Sequence, residues 1–139
     1  MNRKSKKMLA GILIFCTVFL AAGCSIQKID REKMLDIDYE IVEEIDIPEE
    51  MREEIERQKE KEFLFTYGDK GEMFIARGYG KQETGGYEIK VREFFESSNA
   101  IILKTDFWGP EYGVEYSKEP SCPYIVLKMK YSDKYVLIQ

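Results

Sequence analysis

The sequence predicts an α+β domain that is β-rich: a mostly antiparallel curled sheet, or a small sandwich or barrel, of about seven strands with one surface helix. Between residues 36 and 139, apolar and polar residues alternate with a period of two in one segment after another, which is the pattern of half-buried strands. Clusters of Gly, Ser, Asn and Asp separate these segments. Only residues 48–62 combine an absence of glycine with helix-start signals. Strands that follow one another without helices between them leave no regular βαβ alternation, which argues against a doubly wound nucleotide-binding fold.

The chain opens on Arg3, Lys4, Lys6 and Lys7, continues as an apolar run from Met8 to Ala22, and reaches Leu20-Ala21-Ala22-Gly23-Cys24-Ser25. A basic start, a short apolar stretch and small residues before the cut describe a secretory signal peptide. The run of 15 apolar residues falls short of the roughly 20 that span hydrocarbon. A cysteine directly after the small residues resembles a bacterial lipobox, so residues 1–23 read as a lipoprotein signal and Cys24 as the acylated (palmitate-bearing) residue. This places the expected product on the extracytoplasmic face of the cell membrane, held by lipid, since two or more acyl chains give stable anchoring where one is marginal. Residues 24–35 mix charged and apolar residues without a period and read as a tether to a single domain over residues 36–139.

Within that domain, Ile37, Tyr39, Ile41, Ile45 and Ile47 alternate with acidic residues from Asp36 to Asp46, which predicts a first strand over 36–47. Pro48, followed by Glu49 and Glu50, marks a helix start, with the acids favoured at the positive end of the helix dipole. Met51 and Ile55 give this helix a narrow apolar stripe, suited to lying on a sheet. Phe63 to Tyr67 and Glu72 to Tyr79 read as a hairpin around Gly68-Asp69-Lys70-Gly71. Tyr87, Ile89 and Val91 alternate with charged residues until Phe94 and Phe95 break the register at an expected bulge. After the turn Ser97-Ser98-Asn99 come strands through Ile101 to Phe107, Tyr124 to Tyr131 and Tyr135 to Ile138, with a loop from Gly109-Pro110 to Pro123 between the first two.

Composition narrows the function classes. The net charge is −5, and loss of residues 1–23 removes four cations and no acid, leaving −9 on 116 residues. So acidic a body is repelled by phosphate backbones and anionic head groups, which argues against nucleic acid as a partner. The chain has no histidine. With Cys16 and Cys24 in the leader region, Cys122 has no intrachain partner, so no disulfide framework is expected and the residue reads as a small hydrophobe. No His/Cys cluster and no calcium-loop pattern supports a metal site. Gly78-Tyr79-Gly80 and Gly85-Gly86 lie between strands, with Tyr87 opening the next one, rather than at the helix N-terminus where a phosphate loop places its glycines. Ser97, Ser98, Ser117, Ser121 and Ser132 sit in turn contexts without a nucleophile elbow. The expectation is a non-enzymatic protein with no catalytic residues, no metal and no cofactor.

The segment Gly78–Lys128 resembles the C-terminal domain family of the protease-complex subunit PrcB. The resemblance is carried by Thr84-Gly85-Gly86-Tyr87 after Gly80-Lys81-Gln82-Glu83, by Gly109-Pro110, and by Ser121-Cys122-Pro123-Tyr124 leading into Ile125-Val126-Leu127-Lys128. It extends more weakly to about Glu40. Two positions depart from the family pattern: Glu83 stands where a proline is usual, and Cys122 where a tyrosine or another residue precedes the proline. The resemblance implies an accessory subunit of a surface protease complex, and hence a protein partner such as a surface protease. On this reading Thr84, Gly85, Gly86 and Tyr87, with Tyr79 and Trp108, are the candidates for partner contact, since glycines admit close approach and aromatics give contact area at low entropic cost. The structural alternative makes the same loop a hairpin connection with Tyr87 capping the core. A second functional reading is an envelope module that binds a small molecule, peptide or glycan in a cleft of the sheet at Tyr79, Tyr87 and Trp108.

Overall fold

A computed structural model describes residues 27–139; the expected signal peptide and Cys24 lie outside the described residues. The elements in chain order are β1 (Leu35–Asp36), β2 (Glu40–Ile41), a 3-10 turn (Glu44–Asp46), α1 (Glu49–Gln58), β3 (Glu62–Asp69), β4 (Glu72–Tyr79), β5 (Glu88–Glu96), β6 (Ala100–Trp108), β7 (Tyr124–Lys130) and β8 (Tyr135–Ile138). They form two four-stranded sheets, ordered β1-β5-β6-β8 and β2-β7-β4-β3. Every neighbouring pair is antiparallel except β6 and β8. Of the predicted alternatives, the open two-sheet sandwich is the one observed, with no closed barrel among the described residues.

The period-two alternation decides which side chains meet between the sheets. Met73 and Ile75 of β4 with Ile125, Leu127 and Met129 of β7 face Phe94, Ile101 and Leu103 of the other sheet. Ile75, Ile101, Leu103 and Leu127 are fully buried, and each such side chain contributes about 1.5–3 kcal/mol relative to an exposed position. The opposite parity of the second sheet, Phe74, Ala76 and Val126, packs under α1 through Met51 and Ile55. Thus the helix's narrow stripe is enough, because the sheet supplies the rest of the apolar surface. Gly78 belongs to this face, where the ring of Phe63 comes within 2.1 Å of the place a β-carbon would occupy.

Local chemistry explains the turns. The β3–β4 hairpin closes on Lys70 (φ 49°) and Gly71 (φ 81°) alone, with Asp69 still paired to Glu72. Two successive positive φ values are the two-residue turn whose twist matches that of the strands. In β5 the register shifts between Val91 and Glu93. The extra residue, Arg92, lets Val91 and Phe94 both face the core although they are three positions apart. The expected bulge is therefore present, and it lies before the two phenylalanines.

One expectation for the N-terminal part differs from the structure. The single strand over 36–47 is broken: Leu35 and Asp36 pair with β5 in one sheet, and Glu40 and Ile41 pair with β7 in the other. The chain crosses the sandwich edge between them, so one alternating segment serves both sheets and no single strand can contain it. Within the segment read as a tether, residues from Lys28 onward hydrogen-bond to the domain. The amide of Asp30 donates to Asn99 Oδ1 (2.9 Å), Asn99 Nδ2 donates to the carbonyl of Lys28 (2.9 Å), and Ser98 Oγ donates to Asp30 Oδ2 (2.7 Å). Met34 N then donates to the carbonyl of Glu96 (2.9 Å).

Candidate functional site

The candidate residues gather at the end of the sandwich where β4 and β6 finish and β5 begins. Tyr79 and Phe107 stack with centroids 4.2 Å apart and planes 9° from parallel, and Tyr87 also stacks with Phe107, at 5.1 Å and 17°. The Arg77 guanidinium lies 4.2 Å from the Tyr79 ring centroid. The Tyr79 hydroxyl hydrogen-bonds the hydroxyl of Thr105. Arg77 is itself buried, and its Nη1 donates to the carbonyl of Gly78 at 2.7 Å. The result is a layered cation–π and aromatic stack that closes this end of the core. Phe107 joins the two candidate tyrosines. Its signal in the sequence was only its place in the β6 alternation, because register across the two sheets decides what it meets.

Thr84, Gly85 and Gly86 hold a different piece of chain. Gly85 N donates to the carbonyl of Ser117 (2.8 Å), Ser121 Oγ donates to the carbonyl of Thr84 (2.7 Å), and Gln82 and Ser121 exchange two backbone hydrogen bonds. A β-carbon at Gly85 would lie 3.1 Å from Ser117 Cβ, and one at Gly86 would lie 2.8 Å from Tyr116 Cβ and 3.2 Å from Pro110 Cβ. Gly86 also has φ 84°, a conformation L side chains rarely adopt. The two glycines therefore let the loop between β6 and β7 approach the chain's own backbone.

That loop, clamped at its base, presents its tip to solvent. Trp108 is 57% exposed, Val114 55% exposed and Tyr112 fully exposed. Trp108 points to the sheet face opposite Phe107, as alternation requires, so it does not join Tyr79 and Tyr87 in one cleft. It lies in a groove of about 450 Å³ bounded by the β5–β6 end and the loop. Gly86 lines this groove, whereas Tyr79 and Tyr87 do not.

Ionisable groups elsewhere shift through surface pairing. The Lys104 ammonium, 2.7 Å from the Glu93 carboxylate, lowers that carboxyl's pKa, and Glu40 raises the pKa of Lys128. Burial raises the pKa of the Tyr124 phenol. Among the described residues no group of three or more His, Cys, Asp or Glu side chains is arranged to hold a metal ion. No helix there is long and apolar enough to cross a membrane. Cys122 is a free, half-buried thiol.

Residues 73–130 match the family described as PrcB C-terminal. The matched stretch runs from β4 through β7 and so contains the Thr84–Tyr87 clamp, Trp108 and the exposed loop. It does not reach back towards Glu40, where the weaker likeness was expected. No curated protein and no solved structure matches the chain.

Proposed function

Because residues 73–130 match the PrcB C-terminal family, we propose that the chain is a non-enzymatic accessory subunit that binds an extracytoplasmic protease and holds it at the membrane. The observation that carries this reading is an exposed apolar surface: Trp108, at the end of β6, and Tyr112 and Val114, on the following loop whose base is fixed by the Thr84–Gly86 clamp, stand in solvent. Exposed aromatic side chains on a fixed base suit recognition of another protein, since little entropy remains to be lost on contact. Tyr79 and Tyr87 then act by supporting the surface from behind.

In this reading Cys24 is the lipid anchor and residues 1–23 are the signal peptide. Lys28 lies four positions after Cys24, a reach of at most about 14 Å, and Lys28 is bound to Asn99 at the β5–β6 turn. A short leash therefore sets that turn towards the membrane. β6 runs from Ala100 to Trp108, so at about 3.3 Å per residue the loop tip stands about 27 Å farther out.

Crosslinking on intact producing cells, followed by capture of the chain, tests the proposal. A protease is expected among the crosslinked proteins, and Cys24→Ala is expected to move both proteins from the membrane to the soluble fraction. Capture without any protease, at crosslinking efficiency sufficient to trap membrane neighbours, overturns the partnership. Membrane retention of Cys24→Ala overturns the anchor.

A further inference from the structure

The groove beside Trp108 has a chemistry that specifies more than a protein surface. Its apolar surface is Trp108, Pro110, Val114 and the half-buried Tyr116. Three carboxylates line it, Glu88, Glu111 and Glu115, against one cation, Lys90. Lys90 is already engaged, with its Nζ 3.4 Å from the Glu88 carboxylate. Among the described residues neither Glu111 nor Glu115 makes an ion pair. An indole face left 57% exposed thus stands beside two uncompensated carboxylates.

We propose that this groove binds an extended, arginine-bearing segment of the partner protein. This deepens the accessory-subunit reading and rests on it. A guanidinium is weakly hydrated, stacks on an indole face and presents paired N–H donors to carboxylates. Its aliphatic stem packs along apolar surface while the head stays at the polar rim, which fits Pro110 and Val114 beside Glu111 and Glu115. An anionic segment meets like charge here, and a wholly apolar one leaves the carboxylates without partners. Lysine satisfies the charge but not the planar stacking, so arginine is the better occupant.

Trp108 is the chain's single tryptophan, so its fluorescence reports directly on the groove. The full chain, in detergent micelles, is titrated with a terminally blocked Gly-Arg-Pro-Arg-Gly peptide and with versions carrying lysine or citrulline in place of arginine. Saturable change in Trp108 emission with the arginine peptide is expected, weaker with lysine, and about tenfold weaker or more with citrulline, as loss of one charge-assisted interaction implies. Glu111→Gln with Glu115→Gln is expected to reduce arginine-peptide affinity at least as much while the thermal midpoint stays at the wild-type value. Equal binding of the citrulline peptide, or unchanged affinity in the double variant, overturns the proposal; so does a neutral oligosaccharide that saturates the groove more tightly than the arginine peptide. The same double variant separates this proposal from the one beneath it. If it still crosslinks to the protease in cells, the partnership stands and the groove assignment falls. If the peptide binds as expected but no protease is captured from wild-type cells, the groove chemistry stands and the protease partnership falls.

Discussion

The two ends of the β5–β6 hairpin are built in opposite ways. At one end the chain turns in three residues: Ser97 is fully buried, and its hydroxyl both donates to the carbonyl of Ala100 and accepts from the Ala100 amide. The residues from Lys28 to Met34 hydrogen-bond onto it. At the other end fifteen residues, 109–123, separate β6 from β7, and their tip exposes Tyr112 and Val114. The first end satisfies its polar groups internally, whereas the second leaves apolar area in water. A fold keeps such area exposed at the cost of solubility unless something covers it, and the contrast therefore separates a closed, self-satisfied end from an open, apolar one.

The contrast is sharpest if both ends still depend on one core. Leu103, fully buried midway along β6, tests this. Leu103→Ala is expected to cost about 2–5 kcal/mol, and hydrogen exchange should show both ends losing protection together. Loss confined to one end would mean that the ends fold independently.

Next in size is the clamp. Gly86→Ala combines a positive φ with a 2.8 Å approach to Tyr116 Cβ, whereas Gly113, at φ 80°, has open space around it. Gly86→Ala is expected to cost about 2–3 kcal/mol through strain and steric displacement. Gly113→Ala carries the backbone term alone, about 1 kcal/mol. Limited proteolysis should open the 109–117 loop in the first variant and not in the second. Equal susceptibility would show that the glycine pair does not fix the loop.

The smallest effect is electrostatic and belongs to the other end. Asp30 has its pKa lowered first by the Glu32 amide and then by the Ser98 hydroxyl, both of which donate to its carboxylate. A lowered folded-state pKa means the contribution is complete above the ordinary carboxylate value and is lost as pH falls through the lowered one. Acidification is therefore expected to free residues 28–34, seen by NMR as loss of the Asn99 side-chain amide shifts, while the Trp108 environment stays unchanged. Ser98→Ala should move that transition to higher pH. Release of both ends at the same pH would erase the distinction between them.

Much of the fold was legible because it rests on local rules. Alternation located β3 to β8, Pro48-Glu49-Glu50 located the helix, and the doubled phenylalanine located the bulge. The first predicted strand failed because alternation reports that a segment is half buried but not which sheet buries it. Residues 36–47 satisfy the pattern while crossing from one sheet to the other. The candidate site was legible in part. Thr84-Gly85-Gly86 was visible as a glycine pair needing close approach, yet the chain that approaches, Tyr116 and Ser117, lies thirty residues on. Phe107 carried no site signal beyond its place in the β6 alternation, because nothing in its sequence neighbourhood distinguishes it from other inward residues.

By itself, then, the sequence determined the strands from β3 to β8, the helix and the acidic, histidine-free chemistry, because propensity, periodicity and charge are properties of neighbouring residues. Tertiary structure alone decided that β8 joins β6 in parallel, that Tyr79 and Tyr87 are united through Phe107, and that Trp108 faces away from both. Those outcomes depend on strand order and on register between sheets. Both are set by how distant apolar faces bury one another, and no local pattern encodes that.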